Sequence, residues 1–116
     1  MSLHFKRIAA RAMRQVLVEA ARRRGASKRA GGSDRLEVEF DEASLGITSA
    51  ERLIHLDDAL EVLAQVSARQ AQVVEARFFG GLTVPEIAAS IGVSEVTVQR
   101  DWRVARAWLS TELARA

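Results

Sequence analysis

Residues 83–106 of this 116-residue chain read TVPEIAASIGVSEVTVQRDWRVAR. Thr83 and Glu86 stand three residues apart, which is the spacing of a capping box, and so predict the start of a helix. Gly92 can adopt the positive φ that a tight turn after this short helix requires. Ser94 is then a suitable N-cap for a second, longer helix. Two capped helices on either side of one glycine turn predict a helix-turn-helix.

The second helix of this pair is expected to have an inward and an outward side. Val98 and Trp102 are four residues apart and, with Ile87 of the first helix, would hold the two helices across each other. The outward side chains are of types that reach phosphates or base edges in a DNA major groove. They are Ser94, Glu95, Thr97, Gln99, Arg100 and Arg103. An ordinary helical hairpin with a solvated polar face would show the same spacing, so this motif alone leaves both interpretations open.

The residues before this pair also predict helices. Residues 66–83 read VSARQAQVVEARFFGGLT, in which Ser67 and Gln70 form a second candidate capping box and Gly80-Gly81 is the expected helix end. Further upstream, a leucine stripe predicts a helix over about Ala50–Gln65. The stripe consists of Leu53, Leu56, Leu60 and Leu63. From residue 49 onward the pattern is therefore that of an all-α domain.

The N-terminal residues predict one more helix, over Leu3–Arg24, with Gly25 as its stop. Its apolar side chains recur at three- and four-residue steps, and such a face must dock on the C-terminal domain, on another copy or on a partner. The face consists of Phe5, Ile8, Ala9, Ala12, Met13, Val16, Leu17 and Ala20. The alternating segment Leu36–Phe40 is interpreted as an extended connector. The expected divisions are a helix at 1–25, a linker at 26–48 and a helical domain at 49–116.

Residues 66–83, together with Pro85–Ala88 and Thr97–Arg100, closely resemble region 4 of bacterial RNA polymerase sigma factors of the extracytoplasmic-function (ECF) group of the sigma-70 family. The resemblance covers about Glu51–Leu113. Within the N-terminal helix, the runs HF, AARAMR and LVEAAR, followed by Lys28-Arg29, are similar to the end of region 2 and the following linker in one subgroup of these factors. The resemblance implies an all-α helical bundle with a C-terminal helix-turn-helix and an N-terminal single helix.

The resemblance also implies roles for particular residues. The outward residues of the second helix would line the DNA face on the promoter −35 element, and Arg106 would lie one turn further along, near a phosphate. Many relatives carry a basic residue where this chain has Asp101, and an acid there would weaken a phosphate contact unless it points away from DNA. Glu95 could accept from a cytosine amino group or simply favour the helix dipole, and the two interpretations stay open.

The core is assigned by the same resemblance and by spacing. Val98, Trp102, Ala105 and Leu109 repeat at three- and four-residue steps. Trp102 is therefore interpreted as a packing residue rather than as a base-stacking one. Trp108 falls beside this stripe rather than within it.

As a member of this group, the chain would bind promoter DNA and core RNA polymerase, the latter through the flap of the beta subunit, and could meet an anti-sigma factor. Only the final helix of region 2 can be matched, so a truncated form or a short paralogue is expected, and unaided promoter initiation is not. Two alternatives remain. One is a protein-interaction module that titrates polymerase or an anti-sigma factor, and the other is a free-standing helix-turn-helix regulator, which would bind paired half-sites as a dimer.

The composition excludes several other classes. The chain has no cysteine, and its two histidines, His4 and His55, are too few and too far apart to indicate a metal centre. No catalytic constellation, phosphate-binding glycine motif or cofactor site is evident, so no enzyme is predicted. The carboxylates of Asp57, Asp58 and Glu61 are interpreted as the solvated side of their helix. No apolar run is long enough for a membrane span, so a soluble, cytoplasmic protein is expected.

Charge is distributed unevenly along the chain. Residues 1–35 carry ten basic and two acidic side chains, or +8, whereas residues 36–61 carry eight acidic side chains and one basic, or −7. The remaining residues, 62–116, sum to +1. The basic segment indicates either a polyanionic partner or attraction to the acidic segment of the same chain, and charge alone does not separate the two.

Overall fold

A computed structural model describes residues 2–27 and 45–115 of the chain. The described residues form five α-helices: α1 (Leu3–Ser27), α2 (Ala50–Val66), α3 (Ala68–Phe78), α4 (Val84–Ile91) and α5 (Glu95–Arg115). The predicted all-α fold is confirmed. Helix α1 continues through Gly25, the predicted stop, because a glycine that keeps helical dihedrals only weakens a helix, by about 1 kcal/mol. The predicted connector Leu36–Phe40 and most of the predicted linker lie outside the described residues.

Ser67 joins α2 to α3 with no intervening loop. Its backbone N–H donates to the carbonyl oxygen of Leu63 at 2.7 Å and so ends α2, while its hydroxyl oxygen accepts from the backbone N–H of Gln70 and begins α3. The predicted N-cap is confirmed, but the predicted return bond from the Gln70 side chain is not made. The reason is that the Ser67 N–H is already used by α2.

The core lies where α2, α3, α4 and α5 meet. All four leucines of the α2 stripe are buried, and so are Ile87 of α4 and the stripe of α5. The buried residues of α5 include Val98, Trp102, Ala105 and Leu109, as the spacing predicted. Burial of these side chains supplies the main stabilisation of the four-helix unit, since each large apolar side chain contributes about 1.5–3 kcal/mol.

Helix α1 packs on α2, α3 and α4, but it does so with the face opposite to its large apolar side chains. Of the three expected destinations of that apolar face, the C-terminal domain is therefore not the one used within the described residues, and docking on another copy or on a partner stays a prediction. Its buried residues are the small or β-branched Ala10, Val18 and Ala21. The large apolar side chains stay exposed, and these are Phe5, Ile8, Met13, Val16 and Leu17. Phe5 and Arg14 illustrate the arrangement, since nine residues amount to two and a half helical turns and place them on opposite sides.

Charge decides which face of α1 docks. Three carboxylates surround the guanidinium of Arg14. Its Nε lies 2.7 Å from Oδ1 of Asp57, its Nη1 2.9 Å from Oε2 of Glu75 and its Nη2 3.1 Å from Oε1 of Glu61. Burial opposes the charge of Arg14, but the hydrogen bonds to Glu75 and Asp57 outweigh it and raise its pKa. The interpretation of Asp57 as a solvated side chain was wrong, because this carboxylate is mostly covered by α1. Part of the basic segment is thus drawn to the acidic segment of its own chain.

Candidate nucleic-acid interface

The N-terminus of α4 is held by a complete capping box. The backbone N–H of Thr83 donates to Glu86 Oε1 at 3.0 Å, and the backbone N–H of Glu86 donates to Thr83 Oγ1 at 3.3 Å. The ammonium of Lys6, on α1, also donates to the Glu86 carboxylate. These hydrogen bonds, first that from Lys6 and then that from the Thr83 N–H, lower the pKa of Glu86 to about 2. The short helix is therefore fixed at its start by both local and distant contacts.

The turn between α4 and α5 has the geometry that the sequence predicted. Gly92 is in the left-handed region with φ 73°, and its N–H donates to the carbonyl oxygen of Ala88 at 2.9 Å. Two residues later, the hydroxyl oxygen of Ser94 accepts from the backbone N–H of Thr97 at 3.1 Å. The Ser94 and Thr97 hydroxyls are also 2.9 Å apart and hydrogen-bonded to each other. Both hydroxyls thus serve the start of α5, a second role for two predicted DNA-facing residues.

The remaining predicted DNA-facing residues are all exposed on α5. They are Glu95, Gln99, Arg100, Arg103 and Arg106. Within the described part of the chain, Arg100 and Arg103 form no ion pair. Two guanidinium groups without acidic partners, at three-residue spacing on one helix, make a surface suited to phosphate or base-edge hydrogen bonds.

Asp101 lies between these residues in sequence but points the other way. Its side chain is 5% exposed and receives two hydrogen bonds from Arg69 on α3, from Nε at 2.6 Å and from Nη2 at 3.2 Å. The hydrogen bond to Asp101 and the negative charge of that carboxylate raise the pKa of Arg69. The charge of Asp101 is therefore neutralised inside the helical unit and does not oppose a phosphate on the outer surface.

Trp102, the next residue, is buried against the same helix. The guanidinium carbon of Arg77 lies 4.7 Å from the centre of its ring, within the range of a cation–π contact. The indole N–H is buried and has no hydrogen-bond partner in the described residues. The packing role predicted for Trp102 agrees with this position.

Two arginines of α3 that meet α5, Arg69 and Arg77, were not predicted from the sequence. The only signal was indirect, since an acid at position 101 needs a partner if it faces inward. Local spacing cannot supply that partner, because Arg69 is 32 residues away along the chain.

A shallow groove of about 310 Å³ runs between α2 and α5 on another side of the molecule. Ala59, Val62 and Trp108 give it an apolar floor, and charged or polar side chains stand at its edge. Trp108, which the sequence placed beside the core stripe, is half-buried here.

Among residues 2–27 and 45–115, no three acidic or histidine side chains converge as metal ligands would. In the same residues, no helix combines the length and apolarity that crossing a membrane requires.

Comparison with known proteins gives one match. A family model described as ECF sigma factor matches residues 2–115 of the chain. Neither the curated proteins nor the solved structures gave a match.

Proposed function

Since the chain belongs to the ECF sigma factor family, we propose that it acts as a sigma-type transcription initiation factor that binds promoter −35 DNA and associates with RNA polymerase. In this proposal, residues 1–25 correspond to the end of region 2 and 49–116 to region 4. Helices α4 and α5 form the helix-turn-helix, with α5 as the recognition helix.

The observation that carries the proposal is the two-sided construction of α5. Its inner side is fixed by Asp101 and Trp102 against α3, while Gln99, Arg100 and Arg103 stand exposed on the outer side. A recognition helix needs this combination, because its polar side chains must reach the major groove from a rigid support.

The outer residues divide into two roles. Arg103 and Arg106 are assigned to phosphates, which would supply salt-dependent affinity without sequence preference. Gln99 and Arg100 are assigned to base edges, since glutamine pairs well with adenine and arginine with guanine. Ser94 and Thr97, at the start of α5, would contact the DNA backbone. Glu95 either accepts a hydrogen bond from a cytosine amino group or only stabilises the start of the helix.

The DNA-binding part is tested by selection from a random duplex library, followed by anisotropy titration with the selected duplex and a scrambled one. Arg100→Ala is expected to weaken binding to the selected duplex by about 1–3 kcal/mol and to relax the preference at one position. Arg103→Ala should lower the slope of log K against log salt by about 1 for both duplexes. Arg115→Ala, at the far end of α5, is the matched control and should change neither. Failure of the wild-type chain to enrich any sequence would refute this part.

The polymerase part is supported by the groove between α2 and α5. Exposed apolar side chains beside a groove are typical of protein contact sites, and the resemblance implies the beta-subunit flap as the partner. Val62→Glu is expected to reduce co-purification with core RNA polymerase, because it places a charge on the apolar floor. Val66→Glu makes the same change at the exposed end of α2 and serves as the control. Equal recovery of polymerase by both variants would contradict this placement.

A second candidate function is a protein-interaction module that titrates polymerase or an anti-sigma factor. The exposed apolar face of α1 favours it, since five large apolar side chains there lie uncovered by the described residues. The purified chain would then inhibit transcription by polymerase that already carries a complete sigma factor. Ile8→Glu should relieve the inhibition, whereas Gln15→Glu, the same charge change beside the cavity around Arg14, should not. Absence of inhibition by the wild-type chain would exclude this candidate.

A further inference from the structure

We propose that the ion pair between Arg69 and Asp101 fixes the rotation of α5 about its own axis, which makes these two side chains positioning residues for DNA sequence discrimination. The inference rests on the proposed function of α5 as a recognition helix. Neither residue would touch a base itself.

Asp101 is buried inside the helical unit. Among the described residues it is the one charged or polar residue that is buried, with 4% of its surface exposed. A carboxylate in an interior position is tolerated only where its charge is matched and its oxygens are hydrogen-bonded. Arg69 meets both requirements with two bonds to the two oxygens.

This pairing of Asp101 with Arg69 is possible in one orientation of α5 only. A turn of the helix by one residue position, about 100°, would carry Asp101 away from Arg69 and set it either against the apolar core or out in solvent. A buried ion pair often adds little net stability, and in some proteins buried polar or charged groups select one arrangement of the packed elements. Arg69 is suited to this selection because its own side chain is 51% exposed and remains partly hydrated while its fork holds the carboxylate.

The neighbouring contact, between Trp102 and Arg77, is less directional. Trp102 is held by packing and by the guanidinium of Arg77 over its ring, while its indole N–H has no partner in the described residues. Packing and a contact to a ring face tolerate small rotations, whereas a two-bond fork restricts both distance and angle.

The rotation of α5 also sets the positions of its outward arginines. Arg100 and Arg103 flank the pair Asp101–Trp102, so they turn with it. With side chains reaching about 5–6 Å from the axis, a rotation of about 30° moves their tips by about 3 Å. That displacement is larger than the range of distances over which a hydrogen bond to a base edge forms. A rotation that leaves the protein folded would therefore be enough to abolish discrimination between DNA sequences.

The test replaces both partners by apolar side chains of similar size, in the double variant Arg69→Met/Asp101→Leu. This change leaves the net charge of the chain unaltered, so affinity for scrambled duplex should stay within about threefold. The ratio of affinities for the selected and the scrambled duplex should fall about tenfold or more, while the thermal midpoint stays equal or rises. Arg77→Met, which removes the other arginine at this interface, is the matched control and should leave the ratio within about twofold.

Asp101→Asn supplies a second measurement, since it keeps the shape of the side chain but removes the charge. It should also lower the ratio, and Arg69→Lys, which keeps the charge but loses the fork, should give an intermediate value. If the double variant folds and its discrimination between the two duplexes is unchanged, the inference is overturned. If the double variant does not fold, unchanged discrimination in Asp101→Asn overturns it. An absence of discrimination in the wild-type chain would instead refute the proposed function.

Discussion

Arg14 is the side chain whose removal should test most directly how α1 is held. The proposed change is Arg14→Met, which keeps the length and helix propensity of the side chain but removes its charge and its hydrogen-bond donors. Arg11→Met is the matched control. It makes the same change on the same helix and beside the same cavity, but Arg11 has no ion pair within the described residues.

The expected loss follows from how well each carboxylate is covered. The side chains of Asp57 and Glu75 are 18% and 15% exposed, whereas that of Glu61 is 70% exposed. The last contributes little, as exposed pairs do. Two covered carboxylates left without a partner would cost about 3–5 kcal/mol if fully buried. An open cavity of about 360 Å³ beside them admits water and reduces this cost, so we expect a loss of about 2–3 kcal/mol, between the surface and buried limits.

Urea denaturation followed by two probes measures this loss. With an m-value of about 2 kcal/mol per M, the midpoint should fall by about 1–1.5 M for Arg14→Met, and by less than about 0.3 M for Arg11→Met. Tryptophan fluorescence reports α5, which contains Trp102 and Trp108, while circular dichroism reports all helices. If α1 separates first, the dichroism transition alone moves to lower urea. Equal midpoints for Arg14→Met and Arg11→Met with both probes would refute the electrostatic account of α1 docking.

Three further changes test individual positions. Gly80→Ala should destabilise the fold by about 1–3 kcal/mol in urea denaturation, because an added Cβ would come within 2.7 Å of the Ala10 side chain; no measurable loss would contradict the close approach of α1. Gly92 has open space where a Cβ would stand, but its φ is +73°. Gly92→Ala should therefore lower the unfolding free energy by about 1–2 kcal/mol through backbone strain alone. A thermal melting curve that matched wild type would argue against the left-handed turn. The pKa of Glu86 is about 2 against an ordinary 4.5, so the stability that its ionised side chain gains from Lys6 and the capping box is present above about pH 4.5 and lost as the pH falls toward 2. The difference in unfolding free energy between wild type and Glu86→Gln should therefore shrink between pH 4.5 and 2. A difference that stayed constant over this interval would count against the assignment.

Much of the fold could be predicted because it depends on contacts close in sequence. The capping box at Thr83 and Glu86, the N-caps at Ser67 and Ser94 and the turn at Gly92 were all expected and are all present. Each connects residues three or four positions apart, where spacing alone specifies geometry. For the same reason, the inward stripe of α5 was assigned correctly from its periodicity.

The contacts that were missed join residues far apart in sequence. Arg14 meets Asp57 and Glu75 across 43 and 61 residues, and Arg69 meets Asp101 across 32. Hydrophobic periodicity left the C-terminal domain, another copy and a partner open for the apolar face of α1, yet three carboxylates around one guanidinium favour docking of the opposite face on that domain. A pattern within one helix cannot reveal charges that another helix places opposite it.

The sequence by itself determined the helices, their caps, the glycine turn and the side of α5 that faces outward, since all of these follow from local dihedral preferences and from the 3.6-residue period. The tertiary structure alone decided which face of α1 is buried and which way Asp101 points. Both depend on the partners that distant segments provide, because a charged side chain enters an interior only where an opposite charge is already in place to receive it.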